Sequence, residues 1–202
     1  MRHEKPVIAA FDFDGTITTR DTLLSFLHHW EGSAACVSQM ALLTPHFLGF
    51  ITGLISRQTL KEALTNRLFA GRNIEELHAA GQAFASSPLL QRMMRKEALQ
   101  RIQWHREQGH RLILASAAYD LYLPFWGKEH GFSDVICTRV AVSSKGEATG
   151  ALIGNNCWGA EKVRRLETLL GPRDGYVVYA YGNSRGDREL LEWADFRAYK
   201  AF

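Results

Sequence analysis

Apolar residues recur along this chain either in short uninterrupted runs or at the spacing of an amphipathic helix. The uninterrupted runs predict buried strands over 7–11, 111–115, 135–137, 176–181 and 196–199. The helical spacing predicts helices over 22–30, 34–55 with a break or kink at Pro45, 58–69, 74–85, 88–108, 161–170 and 188–193. Strands that alternate with helices predict an α/β fold with a mostly parallel, three-layer core. Alternating residues around two glycines predict a hairpin over 139–153.

One helical block does not fit this alternation. Residues 22–87 are helical throughout and follow the first strand directly, so they interrupt the core. The pattern therefore predicts a helical cap inserted at 22–87. The catalytic core would then consist of residues 1–21 and 88–202.

Composition narrows the class of protein further. The chain has 202 residues, of which 46% are hydrophobic and 22% charged, which is typical of a globular protein. A formal net charge of +3 is too small an excess to favour nucleic acid as a partner. Three widely spaced cysteines and a polar start without a signal-peptide core predict a cytoplasmic protein without disulfides.

Polar clusters follow the predicted strands or begin the helix next to one. Because the carboxyl ends of parallel strands meet at one edge of a sheet, the clusters should converge there. An Asx turn, a strand cap or a solvated lysine would explain any one of them, whereas their joint order favours a site. The residues concerned are Asp12, Asp14, Thr16, Ser116, Lys162, Asn183 and Asp187.

The charges of these clusters predict the chemistry of the site. Asp12, Asp14 and Asp187 would raise one another's pKa unless a cation were present, and Mg²⁺ is the cation that suits oxygen ligands. A Mg²⁺ site built from carboxylates typically also holds phosphate oxygens. Hydrogen-bond donors for a phosphate would come from Thr16, Ser116 and Lys162.

Four motifs in this order resemble the haloacid dehalogenase superfamily. They are FDFDGT at 11–16, LILAS at 112–116, GAEK at 159–162 and YGNSRGD at 181–187. The resemblance is strongest to subfamily IB, the phosphoserine phosphatase-like proteins that include phosphatidylglycerophosphatase C. It implies a Rossmann-like parallel sheet with a helical cap of the C1 type.

The resemblance also implies a function and a set of roles. The protein would be a Mg²⁺-dependent phosphomonoester hydrolase that acts through an aspartyl-phosphate. Asp12 would be the nucleophile, and Asp14 the general acid and then the general base. The transferring phosphoryl group would be held by Thr16, Ser116 and Lys162. The metal site would comprise Asp12, Asp14, Asn183 and Asp187, the last orienting water on the ion.

Two positions leave the resemblance incomplete. Position 183 is usually Asp in this motif, and the Asn found here should lower the affinity for Mg²⁺. Asp21 matches a glutamate that contacts the substrate amine in phosphoserine phosphatases, which makes Asp21 a candidate specificity residue. The alternative interpretation is that Asp21 caps the first cap helix.

The cap contains a stretch, 32–56, without any Asp, Glu, Lys or Arg. Three interpretations remain open: a hairpin buried in the cap, an apolar lid that contacts a lipid tail or the membrane surface, and a homodimer face. The second favours a phosphorylated lipid head group, such as phosphatidylglycerophosphate, as the substrate. The alternatives are a small metabolite such as phosphoserine, or a phosphate-binding module without catalysis.

Overall fold

The structure, a computed structural model, describes residues 5–202, so that residues 1–4 of the predicted core lie outside the described residues. A five-stranded sheet with the order β3-β2-β1-β6-β7 lies at its centre, and all four strand pairs are parallel. A separate antiparallel hairpin pairs β4 with β5. The strands are β1 (Val7–Phe11), β2 (Arg111–Tyr119), β3 (Asp134–Thr138), β4 (Val140–Val142), β5 (Ala148–Leu152), β6 (Val177–Gly182) and β7 (Phe196–Tyr199).

Most of the helices lie between β1 and β2, as the sequence predicts. Those in this interval are α1 (Leu23–Glu31), α2 (Ser33–Leu42), α3 (Thr44–Ile51), α4 (Arg57–Phe69), α5 (Ile74–Ala85), α6 (Pro88–Gln91) and α7 (Lys96–Glu107). The later helices are α8 (Leu123–Glu129), α9 (Ala160–Leu170) and α10 (Arg188–Trp193).

Apolar side chains cover both faces of the sheet. Successive side chains of a strand point to opposite faces. Accordingly, Ala9 and Phe11 of β1 join the cluster that includes the helices after β1, whereas Ile8 and Ala10 join a second cluster with α9 and α10. The predicted α/β fold with a parallel sheet between helical layers is confirmed.

The prediction of a single helix over 88–108 is wrong, because this segment forms two helices, α6 and α7. Residues between α6 and α7 pair instead with the loop that follows β1: Thr19 N donates to Met93 O (2.8 Å) and Arg95 N donates to Ile17 O (2.8 Å). These hydrogen bonds replace the helical ones and fix the loop after β1. The predicted break near Pro45 is confirmed, since α2 and α3 meet at an angle of 52°.

Two further elements differ from the sequence prediction. Helix α8 was not predicted, because its apolar residues follow those of β2 with little polar interruption. Strand β2 continues past Ser116, which was expected to follow the strand. Its register against β3 shifts between Ala115 and Tyr119, so Ser116 lies at an irregularity within the strand.

The β4–β5 hairpin ties the helices after β1 to the core. The turn between α4 and α5 donates backbone hydrogen bonds to it, from Gly71 N to Ala148 O (2.8 Å) and from Ile74 N to Gly146 O (2.9 Å). Ala148 N in turn donates to Arg72 O (2.8 Å). These bonds fix the far end of α4 relative to the sheet.

A buried histidine in the core makes stability depend on pH. His105 is fully buried, with Nε2 2.9 Å from the Tyr181 hydroxyl and Nδ1 2.7 Å from Nδ1 of His110. Burial, together with the nearby charges of His110 and Arg101, lowers the pKa of His105 to about 4. The folded protein therefore holds this imidazole neutral.

We expect acid to destabilise the fold through His105. The unfolded chain binds this proton near the ordinary pKa of about 6.5, so the contribution to stability is complete above that pH and is lost as pH falls towards 4. The loss should reach about 3 kcal/mol, because the pKa falls from about 6.5 to about 4 and one pKa unit corresponds to about 1.4 kcal/mol. Urea denaturation between pH 7.5 and 4 should show a shallower pH dependence for His105→Gln than for wild type. The exposed His46 supplies the control, His46→Gln; equal slopes in all three proteins would contradict this assignment.

Candidate active site

A cavity of about 360 Å³ opens at the carboxyl edge of the sheet. It lies where the loop after β1, the irregular part of β2, the loop after β6 and the start of α9 meet. Most of the predicted site residues line it, and Asp187 lies behind it. The predicted residues in its wall are Asp12, Asp14, Asp21, Ser116, Lys162 and Asn183.

Lys162 bridges two carboxylates at the base of this cavity. Its Nζ lies 2.8 Å from Asp12 Oδ1 and 2.6 Å from Asp187 Oδ1, and all three side chains are buried. Burial lowers the pKa of Lys162, but the two carboxylates outweigh it and raise the pKa above its ordinary value. The lysine is therefore a fixed positive charge.

The pKa values of the two carboxylates that contact Lys162 are shifted in opposite directions. Burial, assisted by the charge of Asp187, raises the pKa of Asp12 despite the opposing effect of Lys162. Burial would raise the pKa of Asp187 too, but Lys162 and the donors of Ser184 hold it below its usual value.

Asp187 organises the loop after β6. Its Oδ2 accepts hydrogen bonds from Asn183 N (3.1 Å), Ser184 N (2.9 Å) and Ser184 Oγ (2.9 Å). Gly182 permits this approach, since a Cβ there would lie 2.4 Å from the Cβ of Asp187. Both oxygens of Asp187 are thus engaged, one by Lys162 and one by the loop.

The hydroxyl of Thr16 lies between two oxygen acceptors. It is 3.2 Å from Asp12 Oδ2 and 3.1 Å from Asn183 Oδ1. Gly15 lies against the Asn183 amide, and with φ at 78° and no Cβ it can do so; an added Cβ would lie 2.3 Å from Nδ2. A hydroxyl has a single hydrogen, so only one of the two oxygens can receive it.

This surplus of oxygen acceptors fits a hard cation. Among residues 5–202, no three His, Cys, Asp or Glu side chains are arranged as a metal site. The carboxylate of Asp12 and the amide oxygen of Asn183 nevertheless both lie close to the Thr16 hydroxyl, and both are ligand types that Mg²⁺ accepts. The residues present therefore suit Mg²⁺ better than a softer metal.

Asp14, which also lines the cavity, is held by hydrogen bonds from Thr22. Its Oδ1 accepts hydrogen bonds from Thr22 N (2.9 Å) and Thr22 Oγ1 (2.7 Å), and Thr22 Oγ1 lies 3.0 Å from the Tyr122 hydroxyl. Burial raises the pKa of Asp14 well above its ordinary value, and the charges of Asp21 and Asp12 add to this. These surroundings favour a protonated carboxyl, as a general acid requires.

Ser116 and Asp21 both reach the cavity, though each also has a local hydrogen bond. Ser116 Oγ accepts one from Ala118 N (3.3 Å). Asp21 Oδ1 accepts one from Leu23 N (2.9 Å) at the start of α1. Asp21 thus has the helix-start contact of the alternative interpretation and also a place in the cavity wall.

Three cationic side chains near the cavity were not identified from the sequence. Arg20 and Arg57 line it, and the guanidinium carbon of Arg57 lies between the rings of Phe50 (4.9 Å) and Trp158 (4.8 Å). Lys61, one turn after Arg57 on α4, places Nζ 3.6 Å from the centre of the Tyr119 ring. Burial lowers the pKa of Lys61 to about 8, while the charges of Asp21 and Asp14 oppose this shift.

The sequence profile of the haloacid dehalogenase-like hydrolases matches residues 9–192. The chain belongs to this family. This hydrolase is 32% identical to the protein CicA of Caulobacter vibrioides over 202 residues, which is all of this chain and 89% of CicA. The predicted superfamily and the predicted hydrolase class are thereby confirmed.

Solved structures share the fold of this hydrolase at low sequence identity. A Bordetella pertussis Tohama I protein of unknown function superposes with a TM-score of 0.81 at 20% identity, over 96% of this chain and 89% of that one. A substrate-bound phosphoserine phosphatase superposes with a TM-score of 0.62 at 15% identity, over 98% of this chain and 87% of that one. A phospho-aspartyl intermediate analogue of phosphoserine phosphatase superposes with a TM-score of 0.61 at 16% identity, over 96% of this chain and 86% of that one.

The charge-free stretch of this hydrolase forms helices α2 and α3, neither of which has a buried residue. Exposed apolar side chains on or just after them are Val37, Leu42, Leu48, Ile51 and Leu54. Within residues 5–202, no single helix is long and apolar enough to cross a membrane, but α2 and α3 together have the required length and composition. The interpretation of 32–56 as a hairpin buried in the cap is wrong for these five side chains. It holds for Leu43, which is buried between the two helices, and in part for residues that pack against the hydrophobic core, namely Cys36, Met40, Phe47, Phe50 and Ile55.

Proposed function

We propose that this protein is a Mg²⁺-dependent phosphomonoester hydrolase that forms an aspartyl-phosphate on Asp12. The observation that carries the proposal is the buried contact between Asp12 and Lys162 at the base of an open cavity. The Asp12 carboxylate lies next to a fixed positive charge, and an oxygen of this carboxylate can receive a phosphoryl group. The likeness to phosphoserine phosphatases, one of them a phospho-aspartyl intermediate analogue, supports the same chemistry.

In the first half of the reaction, an oxygen of Asp12 attacks phosphorus. The new O–P bond forms as the ester O–P bond breaks, and the protonated carboxyl of Asp14 gives its proton to the leaving oxygen. Lys162 and the hydroxyls of Thr16 and Ser116 donate hydrogen bonds to the phosphoryl oxygens. Asp12, Asn183 and the main-chain carbonyl of Asp14 would hold Mg²⁺, whose charge would offset these oxygens.

In the second half, Asp14 acts as a carboxylate. It takes a proton from a water molecule that attacks phosphorus, the bond to Asp12 breaks, and phosphate leaves. Asp187 does not touch the substrate in this scheme. It positions Lys162 and the backbone of Asn183 and Ser184, and through them the water and the ligands of the ion.

We assign substrate choice to the helices of 22–87, acting as a cap over the 1–21 and 88–202 core. They supply Arg57, Lys61 and the apolar surface of α2 and α3. A phosphorylated lipid head group suits this combination. A small metabolite such as phosphoserine is the alternative substrate, and a phosphate-binding module without turnover is the alternative function.

Replacing the nucleophile should abolish turnover. Asp12→Asn keeps the shape of the side chain but removes its charge, so phosphate release from p-nitrophenyl phosphate with Mg²⁺ should fall at least about a thousandfold. Asp174→Asn, at an exposed position outside the cavity, should retain the wild-type rate. EDTA should stop the wild-type reaction, and beryllofluoride should label Asp12. Cleavage by Asp12→Asn at the wild-type speed would refute the mechanism, and absence of turnover in wild type would favour the binding module.

Restoring the usual acid at position 183 should strengthen metal binding. Asn183→Asp adds a negative charge next to Asp12, so we expect the dissociation constant for Mg²⁺ to fall about tenfold. Calorimetric titration without substrate measures it directly. An unchanged constant would mean that Asn183 is not a ligand.

We also propose that the exposed apolar surface of α2 and α3 contacts a membrane surface. It adjoins the cavity, because Phe50 of α3 packs against Arg57. A lipid substrate whose tail stays in the bilayer could then present its head group to Asp12.

Sedimentation with anionic vesicles tests this contact. Wild type should pellet with vesicles, and the double variant Ile51→Glu, Leu54→Glu should remain in the supernatant, because both side chains are highly exposed (77% and 82%). Leu169→Glu, on α9, is the matched control. Wild type that stays in the supernatant but sediments as a dimer would favour the homodimer face instead.

A further inference from the structure

The ring of Tyr181 forms a fixed platform near the end of β6. It stacks on Phe11 of β1, with the ring centroids 4.3 Å apart and the planes within 7°, and its hydroxyl lies 2.9 Å from His105 Nε2. The ring of Phe202 stacks on the same tyrosine, at 5.6 Å and 16°. Tyr181 thus anchors the chain that follows β7 through the ring of Phe202.

Phe202 reaches this platform because the chain turns back after β7. Lys200 has a φ of 50°, and within residues 5–202 no other residue except glycine has a positive φ. Lys200 N donates a hydrogen bond to Gly182 O (2.9 Å), which holds the turn against the end of β6. A left-handed conformation is unfavourable for a residue with a Cβ atom, so the contacts around the turn must maintain it.

The residues of this turn, the 200–202 segment, close the rear of the loop that carries Asn183. Together with Gly15, Thr16 and Asn183, the segment lines a gap of only about 10 Å³. A water molecule needs at least roughly this volume, so the segment packs almost directly against the loop. The Asn183 side chain therefore has little room to move away from Thr16, whose hydroxyl lies 3.1 Å from its Oδ1.

The position of this side chain matters because its oxygen carries no formal charge. An amide oxygen attracts Mg²⁺ less strongly than a carboxylate does. If the side chain were free before the ion arrived, the entropy cost of ordering it would reduce the gain further. A neutral ligand at position 183 therefore depends on a loop that is already held in place.

From this packing we infer that the 200–202 segment positions Asn183 as a metal ligand, with Phe202 anchoring the segment on Tyr181. The inference rests on the proposed function for the role of Asn183 toward Mg²⁺. Phe202 is a positioning residue, since it acts on the ion only through the loop. Loss of its ring should release the segment, widen the gap behind the loop and weaken metal binding.

Calorimetric titration with Mg²⁺ in the absence of substrate tests the role of Phe202. The dissociation constant should rise about tenfold for Phe202→Ala, a typical effect of removing a residue that supports a metal ligand. Phe202→Tyr retains the ring and should restore the wild-type constant. Phe196→Ala is the matched control, because Phe196 of β7 also stacks on a tyrosine of β6, Tyr179 (4.4 Å), but lies outside the gap. It should bind Mg²⁺ as wild type does.

A pair of substitutions at position 200 tests the turn without changing Phe202. Lys200→Gly and Lys200→Val both remove the ammonium, but only glycine adopts a positive φ readily, whereas a β-branched residue resists it. Lys200→Val should therefore raise the dissociation constant as Phe202→Ala does, and Lys200→Gly should retain the wild-type value. Equal constants for these two variants would contradict the role of the turn.

A double-mutant cycle separates positioning of Asn183 from a general loss of stability. Because Phe202 acts on the ion through Asn183, Phe202→Ala should cause no further loss of Mg²⁺ affinity in an Asn183→Ala background. Fully additive losses would mean that the 200–202 segment acts by another route, and they would overturn the inference.

Hydrogen exchange of the metal-free protein gives a second readout. The main-chain N–H groups of Asn183 and Ser184 both donate to Asp187 Oδ2. Their exchange should be about tenfold faster in Phe202→Ala than in Phe196→Ala, because only the first variant releases the loop.

The two readouts distinguish failure of the inference from failure of the proposed function. Equal exchange and equal dissociation constants in Phe202→Ala and Phe196→Ala would overturn the inference and leave the proposed hydrolase intact. Faster exchange in Phe202→Ala, with no Mg²⁺ binding by wild type, would support the positioning of the loop while contradicting the proposed use of the metal.

Discussion

The site depends on one buried cation, Lys162, held between the carboxylates of Asp12 and Asp187. Burying a charge is costly unless it is paired and hydrogen-bonded, and this arrangement pairs it twice, at 2.8 and 2.6 Å. Because α9 carries the lysine and the loops after β1 and β6 carry the acids, the ion pairs also fix the helix to these loops. A nucleophile beside such a fixed charge is oriented before substrate binds.

The residues that line the cavity come from two parts of the fold. The core supplies side chains that follow the ends of strands and are held by hydrogen bonds. One example is Asp187, whose Oδ2 accepts three of them. The rest of the lining comes from residues 19–21, just before α1, and from Arg57 of α4, and α4 is anchored through the β4–β5 hairpin and through Gln58. Under the proposed function, different elements would carry the chemistry and the substrate choice, so that the two could vary independently.

Local backbone chemistry explains why the acids reach the cavity. The loop after β1 turns at Gly15 and is fastened by hydrogen bonds to residues 93–95. These hydrogen bonds also interrupt the helix predicted over 88–108. The contacts that divide that helix into α6 and α7 therefore also hold the loop that carries Asp12 and Asp14. Burial of Asp14 raises its pKa and so favours the protonated form, which the proposed role of general acid would need.

The sequence alone determined the alternating core, its parallel sheet and the cluster of Asp12, Asp14, Thr16 and Lys162, because hydrophobic period and strand-end position are local properties. It could not determine that α6 and α7 are separate, that Ser116 lies inside β2, or that Arg57 lines the cavity. Each of these depends on contacts between residues far apart in the chain. Only the tertiary structure decides which face of α4 meets the cavity and which side of α2 and α3 remains exposed, since a helix with little hydrophobic asymmetry does not encode its own orientation.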